Sequence, residues 1–165
     1  MSFLEKGYLT LEEIEKLPGV PSKKRLEKGP VAVIECAQKI PCNPCVDACN
    51  RGAIIIEGSI KNLPKLDSEN CIGCGICVAA CPGQAIFIVN TRFSDEESTV
   101  QFPYEFLPLP IKGQIVGGLN RAGEIVCEGR VIQVLNSKVN DRTPVIKLAV
   151  PNEFVMEVRS LRLRK

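Results

Sequence analysis

The chain has 165 residues and 18.1 kDa, room for one ordinary domain or two small ones. It contains no histidine and no tryptophan, which excludes Ser-His-Asp and Cys-His catalysis, mixed cysteine–histidine zinc fingers, Rieske centres and His-ligated haem. A net charge of +2 supplies no field able to hold nucleic acid or an anionic membrane, so neither is expected as a partner; the outlier is cysteine, nine residues with eight between positions 36 and 81.

Residues 1–29 read as an N-terminal docking arm. Met1 to Gly7 lacks the basic and apolar regions of a secretory leader, so a cytoplasmic chain with reduced or metal-bound thiols is expected, not a disulfide framework. Thr10 followed three residues later by Glu13 is a capping box, predicting a short helix from Leu11 to Leu17 that stops at Pro18-Gly19. Ser22 predicts a second helical turn through Lys23, Lys24 and Arg25, ending by Gly29-Pro30. Both pieces are too short to be stable alone and must lie on something larger.

Residues 30–90 carry an internal duplication at an offset of 32 positions. Cys42, Cys45 and Cys49 map to Cys74, Cys77 and Cys81, and Val46, Ala48, Ala53, Ile54 and Ile56 map to Val78, Ala80, Ala85, Ile86 and Ile88. Each half is predicted as a cysteine loop, a short turn and an apolar strand. Asn70 to Thr91 has no charged residue, but four cysteines, three glycines and a proline make it unfit to span a membrane.

The second half reads Cys71-Ile72-Gly73-Cys74-Gly75-Ile76-Cys77-Val78-Ala79-Ala80-Cys81-Pro82. One thiolate every three residues turns three ligands toward one cage, and Gly73 and Gly75 let the backbone come close to it. A four-cysteine zinc site would need two separated C-x2-C knuckles instead. This run resembles the C-x2-C-x2-C-x3-C-P signature of bacterial dicluster ferredoxins. The resemblance covers little more than a third of the chain. It implies an α+β, ferredoxin-like pseudo-two-fold domain with two [4Fe-4S] clusters. It also implies crossed ligation: Cys36, Cys42, Cys45 and Cys81 on one cluster, and Cys71, Cys74, Cys77 and Cys49 on the other.

The first half departs from that signature. Lys39 stands where Cys71 would map, and Asn50 where Pro82 would. Cys36, three positions earlier and preceded by the apolar run Val31 to Ile34, is read as the substitute ligand at the end of a longer spacer. Were Cys36 only a buried thiol, the first cage would be three-iron, or four-iron with a labile corner. So small a core makes metal binding part of its folding free energy, and the loss of iron is expected to dissolve the domain.

Residues 91–100 are polar and acidic and read as a linker; residues 101–165 read as a small all-β domain. Its predicted strands are Gln114 to Gly117, Glu124 to Leu135, Pro144 to Val150 and Phe154 to Leu163, with turns at Arg121 to Gly123 and Asn140-Asp141. The alternation of the last strand slips at Ser160, predicting a bulge. Cys127 is read as a buried thiol. The basic end, with Arg159, Arg162, Arg164 and Lys165, is read as a solvated face or a seam to an acidic partner.

No G-x-G-x-x-G or P-loop is present, so no flavin, nicotinamide or nucleotide site is expected in this chain. The expectation is a non-catalytic electron-transfer protein. The phrase from Glu35-Cys36 through Ile40-Pro41-Cys42-Asn43-Pro44-Cys45 also resembles the iron–sulfur subunits of FAD-dependent amino-acid dehydrogenases, of the proline and hydroxyproline type, in anaerobic bacteria and archaea. That resemblance implies a relay subunit in a hetero-oligomer with a flavoprotein dehydrogenase. The rival reading is an independent dicluster carrier, or an iron–sulfur sensor whose β part binds another molecule.

Overall fold

Strands β1 (Val31–Ile34) and β4 (Ile86–Asn90) pair antiparallel, Val31 opposite Val89 and Ile34 opposite Ile86. Side chains on a strand alternate between faces, yet both faces of this pair are apolar and buried. Val31, Val33, Phe87 and Val89 point into one core, while Ala32, Ile34, Ile86 and Ile88 point into another. The cysteine-rich half lies on the second face. The computed structural model describes residues 3–164.

The first face is shared with the rest of the chain. Five further strands follow: β5 (Glu97–Pro103), β6 (Ile115–Leu119), β7 (Ile125–Leu135), β8 (Val145–Pro151) and β9 (Ser160–Arg162). With β1 and β4 they form one antiparallel sheet in the order β1-β4-β5-β8-β7-β6-β9. Every one of these strands contributes to a single core that includes Val33, Val89, Phe102, Val116, Val131, Leu148 and Leu161. The sheet therefore runs unbroken from the cysteine half into the C-terminal half. Segment 91–100, expected as a linker, is a turn followed by the first residues of β5, because Ser98, Thr99 and Val100 are buried between β4 and β8.

The arm behaves as its capping signals predict, in shorter pieces. After a first turn α1 (Phe3–Lys6), α2 (Leu11–Ile14) carries both bonds of the capping box: the Glu13 amide donates to Thr10 Oγ1 at 3.4 Å and the Thr10 amide to Glu13 Oε2 at 3.0 Å. The Arg25 amide donates to Ser22 Oγ at 3.3 Å at the start of α3 (Lys23–Leu26). Ile14 and Leu26 are buried, so the arm is packed onto the body.

The C-terminal expectations hold for three strands and fail for the last. Residues 152–159 form a 3-10 turn (Asn152–Phe154) and a further turn, and only Ser160–Arg162 is strand. The slip in alternation at Ser160 is thus the place where β9 begins, not a bulge. Bulges lie instead between Gly118 and Leu119 and between Val131 and Gln133. Nor is the basic end a uniform solvated face: Arg159 is buried, Arg162 donates to the Gly123 carbonyl at 3.2 Å, and Arg164 pairs with Glu128. Lys165 lies outside the described residues.

Candidate metal centre

The duplication survives in the fold. Helical turns α4 (Pro44–Ala48) and α5 (Ile76–Ala80) occupy positions 32 apart. So do the strand pairs: β2 (Ile54–Ile55) meets β3 (Lys65–Leu66) with Ile54 opposite Leu66, and the equivalent partners in β4 and β1 are Ile86 and Ile34. Each helical turn ends on a cysteine in extended conformation, Cys49 at φ −85°, ψ 91° and Cys81 at φ −79°, ψ 110°. That break swings the last thiol away from the others of its own loop.

The eight thiols gather in two groups. Cys36 lies among Cys81 and Cys42, and Cys45 among Cys81, Cys42 and Cys36. Cys77 lies among Cys71, Cys74 and Cys49, and those four line one cavity together with Ala32, Ala53, Gly75 and Ile88. Each group therefore takes three thiols from one half and one from the other, and Cys36 does stand beside Cys42 and Cys45 despite its longer spacer. Cys127 stands apart in β7, facing Gly118 across the β6–β7 ladder.

Burial, and then the neighbouring thiols, push Cys77 up to about 12 and Cys45 up to about 11. The same two causes raise Cys36, against a lowering hydrogen bond from the Gln38 backbone. Thiols packed this way resist ionising together unless a cation shares the site, which is the chemistry an iron cage provides. Backbone amides already aim at the sulfurs: Ala53 at Cys49 (3.3 Å), Ala85 at Cys81 (3.4 Å) and Ala32 at Cys71 (3.4 Å). Among the described residues no three cysteine or acidic side chains converge as the ligands of a single metal ion. Four thiols in each group, with backbone amides aimed at their sulfurs, fit an iron–sulfur cage.

Glycine is required where the second loop passes the arm. Gly73 has φ +66°, and a Cβ there would lie 2.6 Å from Pro30 Cβ and 2.7 Å from its carbonyl carbon.

Two clusters of residues around the site carried no sequence signal. Arg25 is buried and donates to the carbonyls of Ser68 (2.6 Å), Cys71 (2.7 Å), Gly29 and Pro30 (3.3 Å each). Glu35, next to Cys36, is buried between Arg121 and Arg159. Helical spacing explains Arg25 only as one of three basic residues on an exposed turn. Nothing local links Glu35 to residues more than eighty positions away.

Comparison with known proteins places this half of the chain. The family described as 4Fe-4S binding domain matches residues 64–87. An uncharacterized ferredoxin of Methanocaldococcus jannaschii is 32% identical over 85 residues, 52% of this chain and 52% of that protein. The ferredoxin-type protein NapF of Escherichia coli K12 is 41% identical over 51 residues, 30% of this chain and 31% of its own length. Protein Pixie of Drosophila melanogaster is 33% identical over 95 residues, 53% of this chain but only 15% of that protein. The chain thus spans about half of one of these relatives and much less of the other two. No solved structure matches.

Proposed function

We propose, for a chain that carries a ferredoxin-type 4Fe-4S domain and resembles iron–sulfur electron carriers, that it relays electrons through two clusters. Cys36, Cys42, Cys45 and Cys81 would hold one, and Cys49, Cys71, Cys74 and Cys77 the other. A [4Fe-4S] cluster accepts and returns one electron at a time without breaking a bond to its ligands. The polypeptide does the rest. Cys45 and Cys77 within the two helical turns, and Cys49 and Cys81 at their ends, would contribute thiols to both groups. The amides of Ala32, Ala53 and Ala85 donate to sulfur and stabilise added negative charge. Ile34, Ile54, Val78, Ile86 and Ile88 form the apolar core packed against the cysteines and exclude water there.

The observation that carries this reading is the exchange of one thiol between the halves, Cys49 for Cys81. Two cages drawing their thiols from the same two short helical turns would be held near one another, as a relay needs. Cys74 is exposed, with Ile72 and Ile76 exposed on either side, and this corner is the natural contact for a redox partner. The proposed partner is a flavoprotein dehydrogenase oxidising an amino acid, in a hetero-oligomer, and its support is the resemblance of the Cys36 to Cys45 phrase.

Anaerobic isolation tests both levels. Roughly eight irons per chain and two interacting four-iron signals by electron paramagnetic resonance support the relay; zinc or no metal ends it. Stoichiometric co-isolation of a flavoprotein supports the subunit reading, while a monodisperse 18.1 kDa species supports a free carrier.

A further inference from the structure

We propose that Arg25 is a positioning residue that keeps an uncompensated positive charge beside the Cys71 corner and so raises the reduction potential of the cluster held by Cys49, Cys71, Cys74 and Cys77. The inference rests on the two-cluster reading above and adds a residue outside the cysteine motif.

Arginine stays protonated in proteins. Arg25 is 9% exposed, and its hydrogen bonds run to four carbonyl oxygens, those of Ser68, Cys71, Gly29 and Pro30. Among the described residues no carboxylate lies within ion-pair distance of it. The other buried guanidinia, Arg121 and Arg159, share the carboxylate of Glu35. A charge satisfied only by neutral dipoles keeps its full long-range field, and burial leaves that field weakly screened.

The position of that charge is well determined. Ser22 caps the turn at the Arg25 amide, and Thr91 Oγ1 donates to the Leu26 carbonyl at 2.7 Å. Leu26 is in the main core. On the far side the Cys71 carbonyl accepts from Arg25 while the Cys71 sulfur accepts from the Ala32 amide. Uptake of one electron adds one negative charge to the cluster. A fixed cation bonded to the carbonyl of its ligand residue stabilises that reduced form more than the oxidised one, which raises the potential. Arg25 bonds the Cys71 carbonyl and none of Cys36, Cys42, Cys45 and Cys81, so its effect is expected mainly on the group that includes Cys71.

The test uses the full chain, isolated anaerobically and titrated with dithionite as the electron source, each cluster followed by electron paramagnetic resonance. Arg25→Gln is expected to lower the potential of the Cys49/Cys71/Cys74/Cys77 cluster and leave the other close to wild type. Arg25→Lys, which keeps the charge and loses the fork, is expected to stay near the wild-type value. An unchanged potential in Arg25→Gln overturns the assignment, as does a fall of equal size in Arg25→Lys or in both clusters. Should Arg25→Gln fail to load iron, Arg25→Lys decides: a loaded protein at the wild-type potential supports the charge role, and a lowered potential or failure to load leaves Arg25 a structural clamp only. A wild-type protein without two clusters would overturn the preceding reading instead, so the two failures are distinct.

Discussion

Glu35 and Arg159, 124 residues apart, meet in a buried ion pair with Arg159 Nε 2.7 Å from Glu35 Oε1. Arg121 binds the same carboxylate through both its Nε (2.8 Å) and Nη2, and Arg159 also stacks over Phe87 at 4.8 Å. Burial alone would raise the Glu35 pKa, but the two guanidinia, Arg159 foremost, hold it below the usual carboxylate value. The end of β1 is thereby tied to the start of β9 at the opposite edge of the sheet.

Breaking this joint from the carboxylate side leaves two buried guanidinia without a counter-charge. Glu35→Gln is expected to destabilise the fold by about 3–5 kcal/mol. The double variant Glu35→Gln/Arg159→Leu should recover part of that loss, since it removes one of the stranded charges. Denaturation midpoints check this, and equal midpoints for the single and double variants would contradict it.

The exchanged cysteines give a signature that uncrossed loops do not. Cys81→Ala is expected to perturb the cluster of Cys36, Cys42 and Cys45 while the resonance of the other persists, and Cys49→Ala the reverse. Assignment of each spectrum by a second variant in the same group, Cys42→Ala or Cys74→Ala, checks the pairing. If Cys81→Ala instead removed the signal that Cys74→Ala removes, the thiol grouping would be wrong.

Iron removal should melt one side of the molecule, not all of it. Val31, Val33, Phe87 and Val89 are buried in the core shared by all seven strands, and each such side chain contributes about 1.5–3 kcal/mol. The cysteine turns α4 and α5 have only the second, smaller core and the metal. Hydrogen exchange on the chelated protein is expected to show residues 36–83 unprotected while β5, β7 and β8 stay protected. Uniform loss of protection would mean that the sheet depends on the clusters.

Gly73→Ala places a Cβ against the Pro30 backbone in a left-handed conformation that alone costs about 1–2 kcal/mol. The loop must move, and the cluster of Cys71, Cys74 and Cys77 should load poorly. Gly113→Ala has similar backbone strain at φ +88° but open space around it, and is expected to keep full iron. Iron per chain in the two variants is the measurement.

Cys127 offers a pH test clear of the clusters. Burial, with the carboxylates of Glu153 and Glu157, pushes its thiol up to about 11. Because the thiolate is the reactive form, its fraction at pH 8 is about a thousandth and grows tenfold per unit as pH rises. Iodoacetamide should label Cys127 in the loaded protein about two-hundredfold more slowly than a free thiol at pH 8, with the rate climbing toward pH 11. Fast, pH-independent labelling would show an accessible, ionised thiol.

The turn at Arg121 to Gly123, the caps at Thr10 and Ser22 and the paired cysteine loops were all legible in the chain, because each is decided within a few residues. Residues 154–159 were misread as strand because their alternation satisfies a period of two while their backbone turns. Segment 91–100 looked like a linker because its polar composition conceals Ser98 and Thr99, which are buried by strands that arrive much later in sequence.

The order of amino acids alone determined which thiols are candidates to hold metal: a thiol every third residue and a repeat at a constant offset are short-range facts of a loop. Only the tertiary structure decided what surrounds those thiols. Arg25 beside Cys71 and Glu35 between Arg121 and Arg159 join residues 46 to 124 positions apart. Such contacts exist because burying one shared apolar face brings distant strands together, and no local periodicity encodes which charges that burial will place side by side.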